Sequence, residues 1–172
     1  MKKVVNWHNE WNSGGFSMTN YAWPEMRLAD LYLLYAEALN EANGPGADVY
    51  SYVNKVRARA GLGSVESSWA NFSNSPSKYT SKEGMRSIIQ QERGIELSFE
   101  GHRYWDMRRW KTAAQEINGN VKGWDRTQAD PALYYRPLTF FTQRFQAPRD
   151  YLWPIKEADL LTNQNLVQNP GW

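Results

Sequence analysis

The sequence predicts a mainly α-helical chain. Two helical hairpins of tetratricopeptide-like length are joined and followed by long irregular loops and an extended C-terminal tail. Three observations predict it. Apolar residues recur at helical spacing through Leu28 to Ala42, Val49 to Ala60 and Met85 to Phe99. Gly44-Pro45-Gly46 and Gly61-Leu62-Gly63 stop the first two runs. Beyond Asn118 no period persists, and turn residues alternate with aromatic ones.

Met1 to Ala22 reads as loop, with turn residues in WNSGG and SMTN. A first helix starts near Pro24, a favourable first-turn residue, and runs to about Asn43. Its predicted inward face is Leu28, Leu31, Tyr32, Tyr35, Ala38, Leu39 and Ala42. A second helix, Ala47 to Ala60, presents Val49, Tyr52, Val53, Val56 and Ala60. A tight turn makes the pair an antiparallel hairpin, with the small and large alternation of a tetratricopeptide unit at Ala29, Tyr32 and Ala36.

Ser64 to Thr80 reads as a polar connection dotted with aromatic residues. Ser81-Lys82-Glu83-Gly84 caps a third helix that reaches Phe99 and carries Gly94 inside it, at a cost of about 1 kcal/mol relative to alanine. Gly101 breaks the chain before a fourth helix, His102 to Ile117. Tyr151 to Ile155 is a short strand-like run interrupted by Pro154, and Lys156 to Leu161 makes one or two helical turns. Repeat hairpins need about three units for stability. With two visible, extended segments cover the open faces or part of the architecture lies elsewhere.

Composition excludes several classes. At 172 residues the chain is about one domain. A net charge of +2, with acids and bases interleaved, lacks the concentrated basic face of a nucleic-acid binder. No cysteine is present, so disulfides, thiolate metal sites and cysteine nucleophiles are excluded. No apolar run reaches the roughly 18 residues of a membrane span, and MKKVVNWHNEW has no apolar stretch of signal-peptide length. His8 and His102 lie far apart, so no metal is expected; no G-x-S-x-G elbow is present, and no cofactor loop is recognised.

Chemistry concentrates in the third and fourth helices. The inward stripe of the third reads Met85, Ile88, Ile89, Glu92, Ile95, Glu96, Phe99, so two carboxylates fall on an oily face. Burying an unpaired carboxylate costs several kcal/mol, so Glu92 and Glu96 require cations. Two readings follow, an acid–base site or a structural ion-pair network. Glu92, Glu96 and Glu100 are same-side neighbours on one helix, whereas hydrolase carboxylates flank a bond across a cleft. That favours a network of Arg27, Glu92, Arg93, Glu96, Arg103 and Arg109, with Asp106 and Arg109 an i,i+3 pair. In this expectation the arginines of the fourth helix neutralise the acids of the third.

Nine Trp, ten Tyr and six Phe form the other signal. Trp7, Trp11, Phe16, Tyr21 and Trp23 crowd the N-terminal stretch, Trp69, Phe72 and Tyr79 one connection, and Trp124, Tyr134 and Tyr135 another. Flat rings in polar loops stack on sugar faces, but they also pin loops to a core. Trp11, Trp69, Tyr79 and Trp124 are the sugar-stacking candidates.

Four blocks in order carry a family resemblance: RLADLYLLYAEALNEANG, VNKVRARAGL, ERGIELSFEGHRYWDMRRW and YLWPIKEADLLTNQNLVQNPGW. Together they resemble the C-terminal half of SusD/RagB proteins, the surface glycan-binding lipoproteins of Bacteroidetes. Gly94 and Lys156 depart from the usual residues, and the family's lipoprotein signal, anchoring cysteine and N-terminal hairpins have no counterpart in residues 1–172. The resemblance implies a non-catalytic glycan-binding component, or part of one, in nutrient uptake. Its partners would be an oligosaccharide or polysaccharide and a TonB-dependent outer-membrane transporter. Its place would be the cell surface, reached through a lipid anchor in the full-length protein. A tetratricopeptide-like scaffold contacting a transporter or another subunit is the alternative.

Overall fold

The computed structural model describes residues 6, 8–22 and 24–172; Trp7 and Trp23 of the N-terminal aromatic group lie outside the described residues. Helix covers 48% of the described residues, as the periodicity predicts. The chain divides into two compact units, Met1–Glu96 and Leu97–Trp172.

In the first unit a short hairpin, β1 (Glu10–Asn12) and β2 (Gly15–Ser17), stands where a loop was expected. Helix α1 (Leu28–Asn43) begins four residues after Pro24, because Arg27 is still extended. Helix α2 is Ala47–Arg59, and it ends in a Schellman turn. There Leu62 N donates to Arg57 O at 3.0 Å and Gly61 N to Ala58 O at 3.0 Å. Gly61, at φ +74, supplies the left-handed residue that turn requires.

The face of α1 that packs is not the predicted one. Ala29, Asp30, Leu33, Ala36, Glu37 and Asn40 are buried, while Leu28, Leu31 and Tyr35 are exposed. Apolar residues ring most of this helix, so spacing alone does not select a face. Ala29 and Ala36 let neighbouring backbones approach closely, and Asp30 between them accepts from Arg93 Nη1 at 2.8 Å. Asn40, fully buried, donates to Lys82 O at 3.0 Å.

The connection after α2 is helical as well. Helix α3 (Val65–Phe72) is capped by Ser64, whose hydroxyl accepts from Ser67 N, and Val65 is fully buried. Asn54 of α2 holds its start: Oδ1 accepts from Val65 N at 2.8 Å and Nδ2 donates to Glu66 Oε2 at 2.9 Å. Lys78–Thr80 forms a 3-10 turn. Helix α4 (Lys82–Glu96) then starts at Ser81, whose hydroxyl accepts from Gly84 N at 3.1 Å. The core joins all four helices through Leu33, Val53, Val65, Met85, Ile88 and Ile89. Each such side chain contributes roughly 1.5–3 kcal/mol by leaving water.

The second unit begins where α4 was expected to continue. Phe99 sits at φ 67 and is exposed, as is Ile95 of α4. The inward stripe passes instead through Arg93 to Leu97, both 2% exposed. The predicted fourth helix is two pieces, α5 (His102–Arg109) and α6 (Ala113–Glu116). Lys111, at φ 62, takes the position a glycine usually holds in a second Schellman turn: Thr112 N donates to Met107 O at 3.0 Å and Lys111 N to Arg108 O at 3.2 Å.

Strands β3 (Gly119–Trp124) and β4 (Pro137–Gln143) pair antiparallel, with a bulge at Val121/Lys122, and enclose the short helix α7 (Pro131–Tyr134). The run Tyr151 to Ile155 is not a strand. Tyr151 closes a 3-10 turn, and the C-terminal segment holds the rest after α8 (Glu157–Thr162). Gln168 accepts from Ile155 N at 2.8 Å and donates to Ile155 O at 2.9 Å, so one side chain replaces a neighbouring strand. Asn169 donates to Trp153 O at 2.6 Å. The turn at Pro170-Gly171 then brings the Trp172 indole N–H to Arg149 O and Leu152 O, at 3.1 and 3.2 Å.

Candidate functional site

The acids of α4 are bound by guanidinium groups of the first unit. Glu92 Oε1 accepts from Arg57 Nη1. The same arginine donates to Gly63 O at 2.8 Å and Ser68 Oγ at 2.9 Å, so one side chain ties α2, the loop after it, α3 and α4 together. Glu96 Oε1 accepts from Arg27 at 2.8 Å and also from Arg59. Arg93, nearly inaccessible to water, donates to Asp30 Oδ1 at 2.8 Å. Arg57 and Arg59 were not nominated from the sequence, although both lie in the VRAR stretch that forms the last turn of α2. These are charge-assisted bonds between helices, and their carboxylates face guanidinium groups rather than an open cleft.

The remaining charged candidates lie in the second unit. Arg103 bonds Glu116, and Arg109 Nε donates to Asp106 Oδ1 at 2.8 Å across one turn of α5. Asp106 is buried. Among the described residues, no group of three histidines or acids is placed to hold a metal ion.

The four aromatic candidates fall into three environments. Trp69 and Tyr79 are half-buried and pack against the core of the first unit. Lys78 Nζ lies 4.9 Å from the Trp69 ring, and Tyr50 Oη donates to Tyr79 O at 3.2 Å with the two rings edge-on. Burial raises the Tyr50 phenol above its ordinary value, so it stays a donor. These rings anchor α3 and the 3-10 turn. Trp11, by contrast, is 83% exposed on β1 and touches Phe16 across the hairpin at 6.2 Å.

Trp124 stands in a cluster. Its ring lies 5.1 Å from Tyr135 and 6.0 Å from Tyr134, and the two tyrosines meet edge-on at 5.0 Å. Trp124 and Tyr135 are each more than half exposed. The ribbon makes the cluster: Trp124 ends β3 opposite Pro137, and α7 delivers the tyrosines beside it. Asp125 N donates to Tyr134 O at 2.9 Å and closes the loop.

Polar groups border these rings. Asp125 Oδ1 accepts from the Thr127 hydroxyl at 2.6 Å, and Arg136 reaches Oδ2 at 3.5 Å. The Thr127 hydroxyl, then its backbone N–H and the Arg136 charge hold the Asp125 carboxyl below the usual range. Such an arrangement presents flat apolar faces with a half-exposed guanidinium alongside, held by the buried Asp125 carboxylate. The sequence shows the three rings near one another, but not the ribbon that gathers them. The alternation in PLTFFTQ was the available signal.

A cavity of about 340 Å³ on the first unit is lined by Arg27, Leu28, Tyr32, Lys55, Val56 and Arg59. Its cations already serve the fold: both arginines bind Glu96, and Lys55 Nζ lies over the Tyr32 and Tyr52 rings.

Comparison with known proteins places these features in context. A family model described as the SusD family matches residues 1–172. The SusD-like protein P2 of Formosa agariphila is 36% identical over 162 residues, covering 94% of this chain and 28% of that protein. The SusD-like protein P25 of the same organism is 44% identical over 84 residues, 49% of this chain and 14% of its own. Among solved structures, BT4246 in its selenomethionine form superposes with a TM-score of 0.79 at 27% identity, over 99% of this chain and 28% of that one. The SusD-like protein BF3747 of Bacteroides fragilis gives 0.67 at 26% identity, over 91% and 28%. The chain thus spans little more than a quarter of the length of P2 and BT4246.

Proposed function

The chain belongs to the SusD family, and from that premise we propose that it is a non-catalytic, glycan-binding part of a saccharide uptake system that works with a TonB-dependent outer-membrane transporter. In the full-length protein a lipid anchor would hold it at the cell surface. Within this chain the stacking face is the Trp124–Tyr134–Tyr135 cluster. One observation carries the assignment: three mutually packed rings at the loop end of the β3–β4 ribbon leave Trp124 and Tyr135 largely exposed beside the half-exposed Arg136. Rings that already brace each other lose little freedom when a sugar stacks on them, while the Arg136 guanidinium donates to hydroxyls.

The absence of a catalytic role rests on the acids of α4, which cross-link helices through Arg57, Arg27 and Arg59. Affinity electrophoresis against neutral and acidic polysaccharides, with a reducing-sugar assay on the same samples, tests this reading. Retardation without released sugar is expected. Trp124→Ala should weaken it by about tenfold, the loss of one ring-stacking contact of about 1–1.5 kcal/mol. Released sugar would overturn the non-catalytic assignment.

A specific observation also favours the scaffold reading. Leu28, Leu31, Leu34 and Tyr35 expose one apolar stripe of α1. Unretarded migration on every polysaccharide would turn the assignment toward a protein contact at that stripe.

A further inference from the structure

A second ring-lined recess lies in the second unit, away from the ribbon cluster. It is a cavity of about 280 Å³ whose walls include Tyr104, Arg108, Arg144, Asp150, Trp153 and Trp172. Ligand pockets run from about 300 to 1,000 Å³, so this one suits a single ring rather than a chain of them.

Its walls are held in place by bonds that do not involve a ligand. Arg108 donates to Tyr104 Oη at 2.7 Å and Tyr151 O at 2.6 Å, with its guanidinium carbon 5.2 Å from the Tyr104 ring and 5.4 Å from the Trp153 ring. Trp172 is fixed by its two indole bonds and backed by the Arg149 guanidinium at 5.0 Å. Trp153 nevertheless remains 63% exposed and Trp172 48%. These are preformed flat faces open to solvent.

The charge around them is unbalanced. Asp150 is already matched: its Oδ1 accepts from Arg149 Nε at 2.7 Å and its Oδ2 from Gln146 N at 2.7 Å. Arg108 spends its bonds on a phenol and a carbonyl, and the one acid its charge reaches in the recess is Asp150, which it shares with Arg149. Arg144 is exposed and makes no hydrogen bond or ion pair with another described residue. Two guanidinium charges therefore line a recess whose single acid is divided between Arg108 and Arg149, which leaves the recess net positive. A neutral sugar would leave that net positive charge unanswered, while an anion would meet it.

Resting on the saccharide reading above, we propose that this recess binds one anionic sugar unit, a uronate or sulfated hexose. Its ring lies against Trp153 or Trp172, and its charge meets Arg144 beside Arg108. The rings supply contact area, and the guanidinium fork supplies selectivity for a planar carboxylate or a sulfate.

The test titrates the 172-residue chain with methyl glucuronide, glucose 6-sulfate, methyl glucoside and sodium sulfate at equal ionic strength, read by tryptophan fluorescence and calorimetry. At least one charged sugar should bind about tenfold or more tightly than both methyl glucoside and sulfate, the worth of one charge-assisted pair. Arg144→Gln, a change at an exposed position, should bring that sugar down to the glucoside level and flatten its salt dependence. Preference for glucuronide assigns the carboxylate, and preference for glucose 6-sulfate the sulfate ester. Equal binding of charged and neutral sugars, binding of sulfate alone as tightly as of the sugar, or an unaffected Arg144→Gln protein would each overturn the proposal. Trp124→Ala separates the two sites: it should leave charged-sugar binding unchanged while weakening polysaccharide retardation.

Discussion

Arg57 shows how much of this fold passes through single side chains. It is mostly buried, and its fork meets a carboxylate, a carbonyl and a hydroxyl from three different segments. Truncation leaves Glu92 without that guanidinium in a half-buried position, the situation in which breaking a pair costs most. Arg57→Ala should therefore lower stability by about 3 kcal/mol, measured by urea unfolding. Arg57→Lys should recover little, because one ammonium cannot hold the planar, divergent geometry of a guanidinium. Full recovery by lysine would show that charge alone matters there. Arg93 and Asp30 make the same point deeper in the core, where a cation is accommodated because a carboxylate from α1 meets it at 2.8 Å.

Helix starts and segment ends are set by comparably small features. Gly84 lies in the first turn of α4, where the propensity scale favours alanine by about 1 kcal/mol. Yet a Cβ there would stand 1.9 Å from Lys78 O, backbone of the preceding 3-10 turn. Gly84→Ala should thus destabilise by about 1–3 kcal/mol, the scale of overpacking, instead of stabilising. A raised thermal midpoint in this variant would refute the close approach. At the C-terminus Gln168, Asn169 and Trp172 bond the backbone of residues 149–155, giving an irregular segment the hydrogen-bond partners a sheet would otherwise provide.

Over the whole chain, acid should be the weak side. Hydrogen bonding from Arg86, with Arg86 and Lys82 charge, holds Glu41 below the ordinary glutamate value. At Glu66 burial opposes ionisation, but bonds from Asn54, its own backbone and Ser64 outweigh it. Asp125 and Asp150 are lowered too, by Thr127 and Arg149 first. A carboxyl whose folded value is depressed binds its proton more readily in the unfolded chain. Its contribution is present above the unfolded value and is lost as pH falls through the folded one. Urea unfolding should therefore give a plateau from pH 7 to about 5 and a decline below about 4, the unperturbed carboxylate range. Glu41 and Arg86 are each over a third exposed, so solvent screening keeps their share of the decline small. Stability that rises on acidification would contradict the ion-pair account.

The sequence by itself determined the helical class, the first hairpin, its glycine stops, the Ser81 cap and the family blocks. Each of these is a local pattern written in consecutive residues. It also established that Glu92 and Glu96 would need cations, because a carboxylate on an oily face has no other low-cost state. Tertiary structure decided what local patterns leave degenerate. Leu28, Leu31 and Tyr35 have helical spacing as good as Ala29, Leu33 and Ala36. Only close packing, which small alanines permit and larger side chains obstruct, chooses between the faces. The guanidinium partners of the α4 acids found in α2 are 35 and 37 positions away, so proximity in sequence did not point to them. The Trp124 cluster likewise exists because β3 meets β4 and sets Trp124 opposite Pro137, a pairing that each strand lacks alone.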